Sequence, residues 1–336
     1  MDEFLQLSPG GLYCSAADLY IDPRRPVRRA VITHAHADHA RPGSKSYLCA
    51  PDSKPLLEAR LGPGADIHTL AYGETRTIDA VKLSLHPAGH ILGSAQVRLE
   101  ARGRTTVVSG DYKTAPDPTC APLEPLRCDV FVSESTFGLP IFKWPAPETV
   151  FGEINDWWRS NREQGKTSIL FAYALGKAQR ILSALDTSIG PILTHGAIEK
   201  VNRRYRETGI SLPDTTYVGD VEQKQRFDGA LVIAPPSADN PAWMRRFRNR
   251  SRAFASGWMR IRGNRRRRSL DRGFVLSDHS DWDGLIGTIE ATGAECIGLT
   301  HGYAAEMSRW LREKGHAAEV MAAEMDAVDR DGEVAP

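Results

Sequence analysis

The chain has 336 residues, a hydrophobic content of 41% and a formal net charge of +1 at pH 7. This composition is typical of a globular protein with a sizeable core. The sequence contains neither a signal-peptide pattern nor a stretch near the ~18 apolar residues of a membrane span, so we expect a cytoplasmic protein without a membrane partner. The five cysteines form no C-x-x-C pair, which argues against a cysteine zinc site and leaves His and Asp as candidate metal ligands.

In chain order, the first part of the sequence predicts short strands that each run into a Gly, Pro, Asp or His. A helix is predicted between them at Lys54–Leu61. The predicted strands are Arg29–Thr33, Val81–His86, Ala95–Leu99, Thr105–Ser109 and Val130–Ser133.

After Pro140 the pattern changes to longer helices separated by short apolar runs, and past Arg272 the strand pattern returns. We therefore predict a domain formed by residues 1–140 and 271–336, interrupted by an inserted α/β domain at 141–270. The insert has predicted helices at Glu148–Arg162 and Leu175–Leu185 and apolar runs at Ser168–Ala172 and Ala230–Ala234. The later strands are Gly273–Ser277 and Cys296–Thr300, followed by a helix ending near Gly315.

The strongest chemical signal is the sequence T-H-A-H-A-D-H, which directly follows the apolar strand Ala30–Ile32. Buried His and Asp are costly without partners, so such density favours a metal site over a purely structural role. Imidazole and carboxylate together suit Zn²⁺, with Mn²⁺ and Fe²⁺ as competitors. Alternate positions point one way before the chain turns, which predicts two metals. The candidate ligands are His34, His36, Asp38 and His39.

Further candidate ligands lie at other predicted strand ends. His90 in P-A-G-H-I-L-G-S and Asp111 in V-V-S-G-D-Y-K each follow a strand, and Asp111 is the natural carboxylate to bridge two cations. His301 in L-T-H-G-Y repeats the arrangement near the C-terminus. A second T-H-G places His195 in the insert as the alternative to His301.

The charge is unevenly distributed along the chain. Residues 241–272, here called the arginine window, contain 12 Arg and a single acid, so the window carries about +11 and the rest of the chain about −10. A basic stretch with interleaved aromatics is typical of a channel for single-stranded nucleic acid. A solvated helix face or loop is the alternative. The aromatic residues are Trp243, Phe247, Phe254 and Trp258.

The series from His34 to His39, then His90, then Asp111, resembles the motifs of the metallo-β-lactamase superfamily. Later motifs resemble its β-CASP branch of nucleases, which includes Artemis: Glu134 in S-E-S-T-F-G, His279 in S-D-H-S-D-W and His301. The segments S-G-D-Y-K, G-F-V-L-S-D-H-S-D-W and T-H-G-Y are most similar to bacterial ligase-associated DNA exonucleases. The resemblance implies an α/β fold, namely an αββα sandwich with an inserted β-CASP cap.

The resemblance also implies a division of labour. One metal is expected on His34, His36, His90 and Asp111, and the other on Asp38, His39, Asp111 and His301. We expect two divalent ions, Zn²⁺ first and Mn²⁺ second. Asp38, His279 and Glu134 are the expected catalytic residues, with His279 as general acid oriented by Glu134. The alternative for His279 is a helix cap before Asp281. Expected phosphate contacts are Lys113, Lys177, Arg265, Arg266, Arg267 and Arg268.

Three functions compete for this sequence. A nuclease explains both the metal motifs and the arginine window, whereas a small-molecule hydrolase explains only the motifs and a non-catalytic nucleic-acid-binding module explains only the arginines. The resemblance favours a DNA exonuclease with a DNA ligase and a helicase as functional neighbours. RNA stays open as a substrate because the last motif tends to be His, as at His301, in RNA-acting members and Val in DNA-acting ones.

Overall fold

The computed structural model describes residues 5–221, 227–261, 263 and 270–321. Two compact units divide the chain. Of the described residues, the first unit contains those up to Lys143 and those from His279 to Met321, and the second unit contains those between Trp144 and Asp278. Within the described residues, no helix is long and apolar enough to span a membrane.

The first unit contains a six-stranded sheet with its strands in chain order. Its first three strands are antiparallel neighbours, and its last three continue in parallel. Helix α1, Lys54–Leu61, has the bounds that the sequence predicts. The strands are β1 Leu5–Ser8, β2 Gly11–Cys14, β3 Leu19–Ile21, β4 Arg29–Val31, β5 Ser46–Cys49 and β6 Ile67–Thr69.

A seven-stranded sheet forms the other half of this unit, in the order β19-β18-β11-β10-β9-β8-β7. The strands from the C-terminal part of the chain lie beside β11: β18 pairs with β11 in parallel, with Val130 opposite Cys296. The C-terminal segment therefore completes a sheet that the N-terminal segment begins. The strands are β7 Thr75–Ile78, β8 Val81–Pro87, β9 Ala95–Ala101, β10 Arg104–Val108, β11 Val130–Glu134, β18 Cys296–Thr300 and β19 Ala317–Val320.

Two apolar layers stabilise the first unit. Between the sheets, Ile21 and Val31 of the first pack in one buried cluster with Leu83 and Val97 of the second. On the outer side of the seven-stranded sheet, the helices α6, Trp282–Thr292, and α7, Ala304–Glu313, bury side chains against strand residues. This layered arrangement confirms the predicted α/β class and the metallo-β-lactamase sandwich.

The second unit is built on a wholly parallel six-stranded sheet in the order β14-β13-β15-β12-β16-β17. Every residue of β12 and β15 is buried, as expected for parallel strands covered on both faces. The strands are β12 Thr167–Phe171, β13 Ile192–Thr194, β14 Thr216–Tyr217, β15 Leu231–Ala234, β16 Arg250–Ala255 and β17 Arg272–Phe274. The helices are α2 Pro147–Glu163, α3 Lys177–Leu182, α4 Gly196–Glu207 and α5 Pro241–Met244.

The boundaries between the two units lie at residues 143/144 and 278/279, whereas the sequence predicts domain boundaries at 140/141 and 270/271. The larger difference has a physical reason. Strand β17 pairs in parallel with β16, with Phe254 opposite Gly273, so this strand extends the sheet of the insert. The chain rejoins the first unit only at His279.

Candidate metal centre

The candidate ligands of the first unit lie on loops that follow strand ends. After β4, Thr33 is joined to β9 through its carbonyl, which accepts from the Ala95 amide at 2.8 Å. The loop after β10 approaches closely because Gly110 has a φ of +58°, and a Cβ there would lie 2.7 Å from the Thr33 side chain. Only glycine brings Asp111 beside His34 without displacing the backbone.

A first group consists of three histidines and Asp111, whose ligand atoms all lie within 4.8 Å of one another. The Nδ1 of His36 is 3.1 Å from the Nε2 of His34 and 3.1 Å from that of His90. The Nε2 of His34 is 3.5 Å from an Asp111 oxygen. These are the four residues that the sequence assigns to one metal.

A second group contains His39, Asp111 and His301 within the same limit of 4.8 Å. The Nε2 of His39 lies 3.5 Å from Asp111 and 3.2 Å from Asp38. Asp38 thus contacts the group through His39, although it is not a member of it. His301 is exposed and adopts a left-handed φ of +58°. The alternative residue, His195, lies in the second unit, where its Nδ1 accepts from the Ala197 amide as the N-cap of α4.

The pKa shifts of Asp111 and His39 show that the centre favours positive charge. Burial by itself would raise the pKa of Asp111, but the neighbouring His39 outweighs it and holds that pKa well below its usual range. Burial likewise opposes protonation of His39, yet the carboxylates of Asp38, Asp111 and Asp22 raise its pKa well above the ordinary value. The carboxylates around His39 therefore favour positive charge at this point of the centre.

The pKa of His34 shifts in the opposite direction to that of His39. Burial, followed by the charge of His39, lowers its pKa well below the ordinary value, which favours the neutral imidazole that binds metal. Among the polar atoms of the described residues, Asp111 Oδ1 is buried and has no hydrogen-bond partner. A donor set of imidazoles and carboxylates with such an unused buried oxygen fits transition-metal binding.

A third group joins Asp111 to Glu134 and His279. The Nδ1 of His279 is 2.9 and 2.8 Å from the two oxygens of Glu134, and Glu134 itself accepts from the Tyr112 amide at 2.8 Å. Both side chains are buried. The alternative role of His279, as the cap of the helix that follows, is filled by Asp281. The Asp281 side chain accepts from the Gly284 amide at 2.9 Å.

Asp22, which follows β3, is a residue of the centre that the sequence motifs do not reveal. Its carboxylate accepts from the Thr33 amide at 2.8 Å and from the Thr33 hydroxyl at 2.6 Å, and it lies 2.7 Å from His39 Nδ1. A carboxylate in this place fixes the ring orientation of a metal-binding histidine. The available signal was an Asp at the end of an apolar strand, but its φ of +45° is not readable from the sequence.

Replacing Asp22 with Asn is expected to weaken metal binding about 10- to 100-fold, the usual effect of losing such a partner. The amide retains an acceptor for the Thr33 amide but carries no charge to orient His39. Zn²⁺ titration of the metal-free protein against a competing chelator measures the change. An unaltered affinity would contradict the role assigned to Asp22.

Two of the expected substrate contacts lie among the described residues, one in each unit. Lys113 and Lys177 are both buried, Lys113 at 2.6 Å from Asp117 and Lys177 at 3.8 Å from Asp278 within the second unit. These positions do not support a direct contact between either lysine and a phosphate. The two contacts stay a prediction. The run Arg265–Arg268 lies outside the described residues.

The described part of the arginine window differs from an open stacking platform. Phe247, Phe254 and Trp258 are 1%, 1% and 6% exposed, so these aromatics belong to the core of the second unit. Phe254 is buried because it lies on β16, an inner strand of the parallel sheet, and Phe247 packs in the same buried cluster. Two arginines of the window also stabilise the second unit through internal contacts. Arg246 donates to the carbonyl of Val218 at 2.8 Å, and Arg252 pairs with Asp239 at 2.6 Å.

The chain is similar in sequence to several curated proteins whose names describe nucleic-acid enzymes. It is 31% identical over 312 residues to a probable DNA ligase of Opitutus terrae, a match that covers 91% of this chain and 30% of that protein. It is 32% identical over 143 residues to an RNase J-like protein of Methanocaldococcus jannaschii, covering 40% and 34%. It is also 32% identical over 204 residues to the endoribonuclease YSH1 of Yarrowia lipolytica, covering 51% and 24%.

The chain spans about a third or less of the length of these curated relatives. No protein-family model matches it. A crystal structure of a protein of unknown function from Enterococcus faecalis has the same fold, with a TM-score of 0.62 and 11% identity over 88% of this chain and 79% of that one. The relatives, the layered fold and the His and Asp groups agree: the chain belongs to the β-CASP branch of the metallo-β-lactamase superfamily.

Proposed function

We propose that the protein is a metal-dependent nuclease that hydrolyses phosphodiester bonds, with DNA as the favoured substrate. The observation that carries the proposal is the position of Asp111, whose carboxylate is shared by all three groups of potential ligands. A carboxylate shared in this way suits a binuclear centre, and the third group adds a buried His and Glu that can serve proton transfer.

The residues that would hold one metal are His34, His36, His90 and Asp111, and those that would hold the other are His39, Asp38, Asp111 and His301. Two bound divalent cations, Zn²⁺ or Mn²⁺, would supply Lewis-acid stabilisation of a phosphoryl group and an activated water. Asp22 would keep the ring of His39 oriented toward its metal.

His279 is the proposed general acid for the leaving alkoxide. The Glu134 carboxylate holds the Nδ1 side of its ring and stabilises the imidazolium, which leaves Nε2 as the atom that transfers the proton. The bond from the Tyr112 amide fixes Glu134 in turn. His279 therefore has a fixed orientation before any substrate binds.

The proposal of DNA rests on the relative named a probable DNA ligase, which matches 91% of this chain, and on the motifs that resemble ligase-associated exonucleases. We propose an exonuclease that acts on single strands or ends in DNA repair, with a DNA ligase and a helicase as functional neighbours. RNA processing is the second candidate, favoured by His301 and by relatives named for RNA cleavage over 40% and 51% of this chain.

A substrate panel tests the function. Single-stranded DNA and its RNA equivalent, each labelled at either end, are incubated with Zn²⁺ or Mn²⁺ beside nitrocefin and a thioester, with and without chelator. We expect chelator-sensitive cleavage of the polynucleotides, with a higher kcat/KM for DNA. Turnover of only nitrocefin or the thioester would contradict the nuclease proposal, and preferential cleavage of RNA would favour the second candidate.

Neutralising Arg265–Arg268 is expected to weaken the binding of single strands of any sequence. Each lost phosphate contact should reduce the slope of log affinity against log salt by about 0.7. Binding titrations at several salt concentrations measure this slope, with the exposed Arg309, which pairs with Glu313 at 3.0 Å, neutralised as the control. An unchanged slope in the four-arginine variant would identify the run as a solvated loop.

A further inference from the structure

Lys113 is a charged residue that is almost completely removed from solvent. Its side chain is 1% exposed and lies two residues after Asp111. Burying an ammonium group is costly unless a partner of opposite charge and good hydrogen bonds compensate for the lost hydration. The contacts of Lys113 therefore indicate what the residue does.

Its charge is balanced by Asp117, whose side chain is 4% exposed. The Lys113 ammonium donates to Asp117 Oδ2 at 2.6 Å. The other oxygen of Asp117 accepts from the amide and the hydroxyl of Thr119, at 2.9 and 2.7 Å. Both carboxylate oxygens are thus used, and the ion pair is fixed to the turn at residues 117–119.

The same ammonium also donates to the main-chain carbonyl of His90 at 3.3 Å. On its other side, the His90 amide donates to the hydroxyl of Ser94 at 3.1 Å. The main chain of His90 is held at both its N–H and its C=O. Its ring atom Nε2 lies 3.1 Å from His36, within the first ligand group.

The backbone around His90 packs directly on the segment that carries Lys113. The Lys113 amide donates to the Ala88 carbonyl at 3.1 Å. Gly89 has a φ of +75°, and a Cβ there would lie 2.4 Å from the carbonyl oxygen of Lys113. The loop that supplies His90 and the loop that supplies Asp111 are therefore joined at Lys113.

We infer that Lys113 is a positioning residue of the metal centre, which fixes the main chain of His90 and is itself held in place by Asp117. The inference rests on the metal centre of the proposed function. It gives Lys113 a role different from the phosphate contact that the sequence suggests. The competing explanation is that the ion pair only stabilises the fold and has no specific effect on His90.

A double-mutant comparison separates these explanations. Lys113→Met keeps the length of the side chain and leaves Asp117 as an uncompensated buried charge, whereas Lys113→Met with Asp117→Asn removes both charges. Lys54→Met is the matched control, because this lysine forms an exposed pair with Glu58 at 3.9 Å. The metal-free proteins are titrated with Co²⁺, followed by visible absorption, and with Zn²⁺ against a chelator. Thermal unfolding of each metal-free protein is measured in parallel.

We expect Lys113→Met to lower the Tm and to weaken one of two metal-binding events about 10- to 100-fold. The double variant should regain most of the Tm, since no buried charge is unpaired, but should not regain metal affinity or the wild-type Co²⁺ spectrum. If Lys113→Met does not fold, the double variant alone gives the answer. A double variant that binds metal like the wild type would overturn the inference. A wild-type protein that binds neither metal would overturn the metal centre itself.

Discussion

Asp111→Asn is expected to abolish nearly all hydrolysis while the protein stays folded. The substitution keeps the shape of the side chain but removes the charge shared by the three ligand groups. Metal-ion stabilisation contributes several kcal/mol to such reactions, so we expect a loss of about 10³-fold or more in kcat/KM. Because both proposed metals use Asp111, elemental analysis should show reduced occupancy of both.

The control for this variant is Asp66→Asn, at an exposed carboxylate that lies 3.0 Å from His68 Nε2. It should retain full activity and metal content. Circular dichroism and thermal unfolding of the metal-free Asp111 variant establish that the fold is retained. Wild-type activity in Asp111→Asn, or in Asp111→Ala, would show that the centre is assigned to the wrong residues.

His279→Ala is expected to slow the chemical step by about 10²- to 10⁴-fold, the range for a positioned general acid. Metal content should stay near that of the wild type, because in our assignment His279 transfers a proton and does not hold a metal. The expected defect should shrink for a nitrophenyl phosphodiester, whose leaving group needs no proton. Single-turnover rates on both substrates measure the difference.

The geometry leaves a sharp alternative for His279, since its ligand atom lies within 4.8 Å of those of Asp111 and Glu134. If His279→Ala loses metal, the residue is a ligand and the division of labour is incorrect. Glu134→Gln serves as the companion variant. It should reproduce part of the rate defect, because the neutral amide cannot stabilise the imidazolium.

The sequence predicts much of this centre because its ligands lie where strands end. The apolar strand before His34, the strand before Asp111 and the strand before His301 are all found in the structure. Ligand types at such positions are readable from the chain, and helix α1 also has the bounds that the sequence predicts. His301 lies in one group with His39, whereas His195 lies in the second unit. This agrees with the prediction that the chain has returned to the first domain before it reaches His301.

The remainder depends on contacts that residue types do not reveal. The bond between Asp22 and His39 needs a left-handed φ at Asp22 and a contact across 17 positions. Lys113 resembles a phosphate contact in sequence because nothing in the chain shows that Asp117 neutralises it. Aromatics between arginines resemble a stacking surface until β16 is seen to lie between β12 and β17, where Phe254 becomes core.

Reconstitution of the metal-free protein tests the proposed metal-dependent nuclease most directly. Single-turnover cleavage of end-labelled single-stranded DNA is measured as Zn²⁺ or Mn²⁺ is added in fractions of an equivalent. We predict no cleavage without metal and a rise to a plateau near two equivalents per chain. Full cleavage by the exhaustively chelated protein, or no cleavage of DNA or RNA at any metal content, would contradict it.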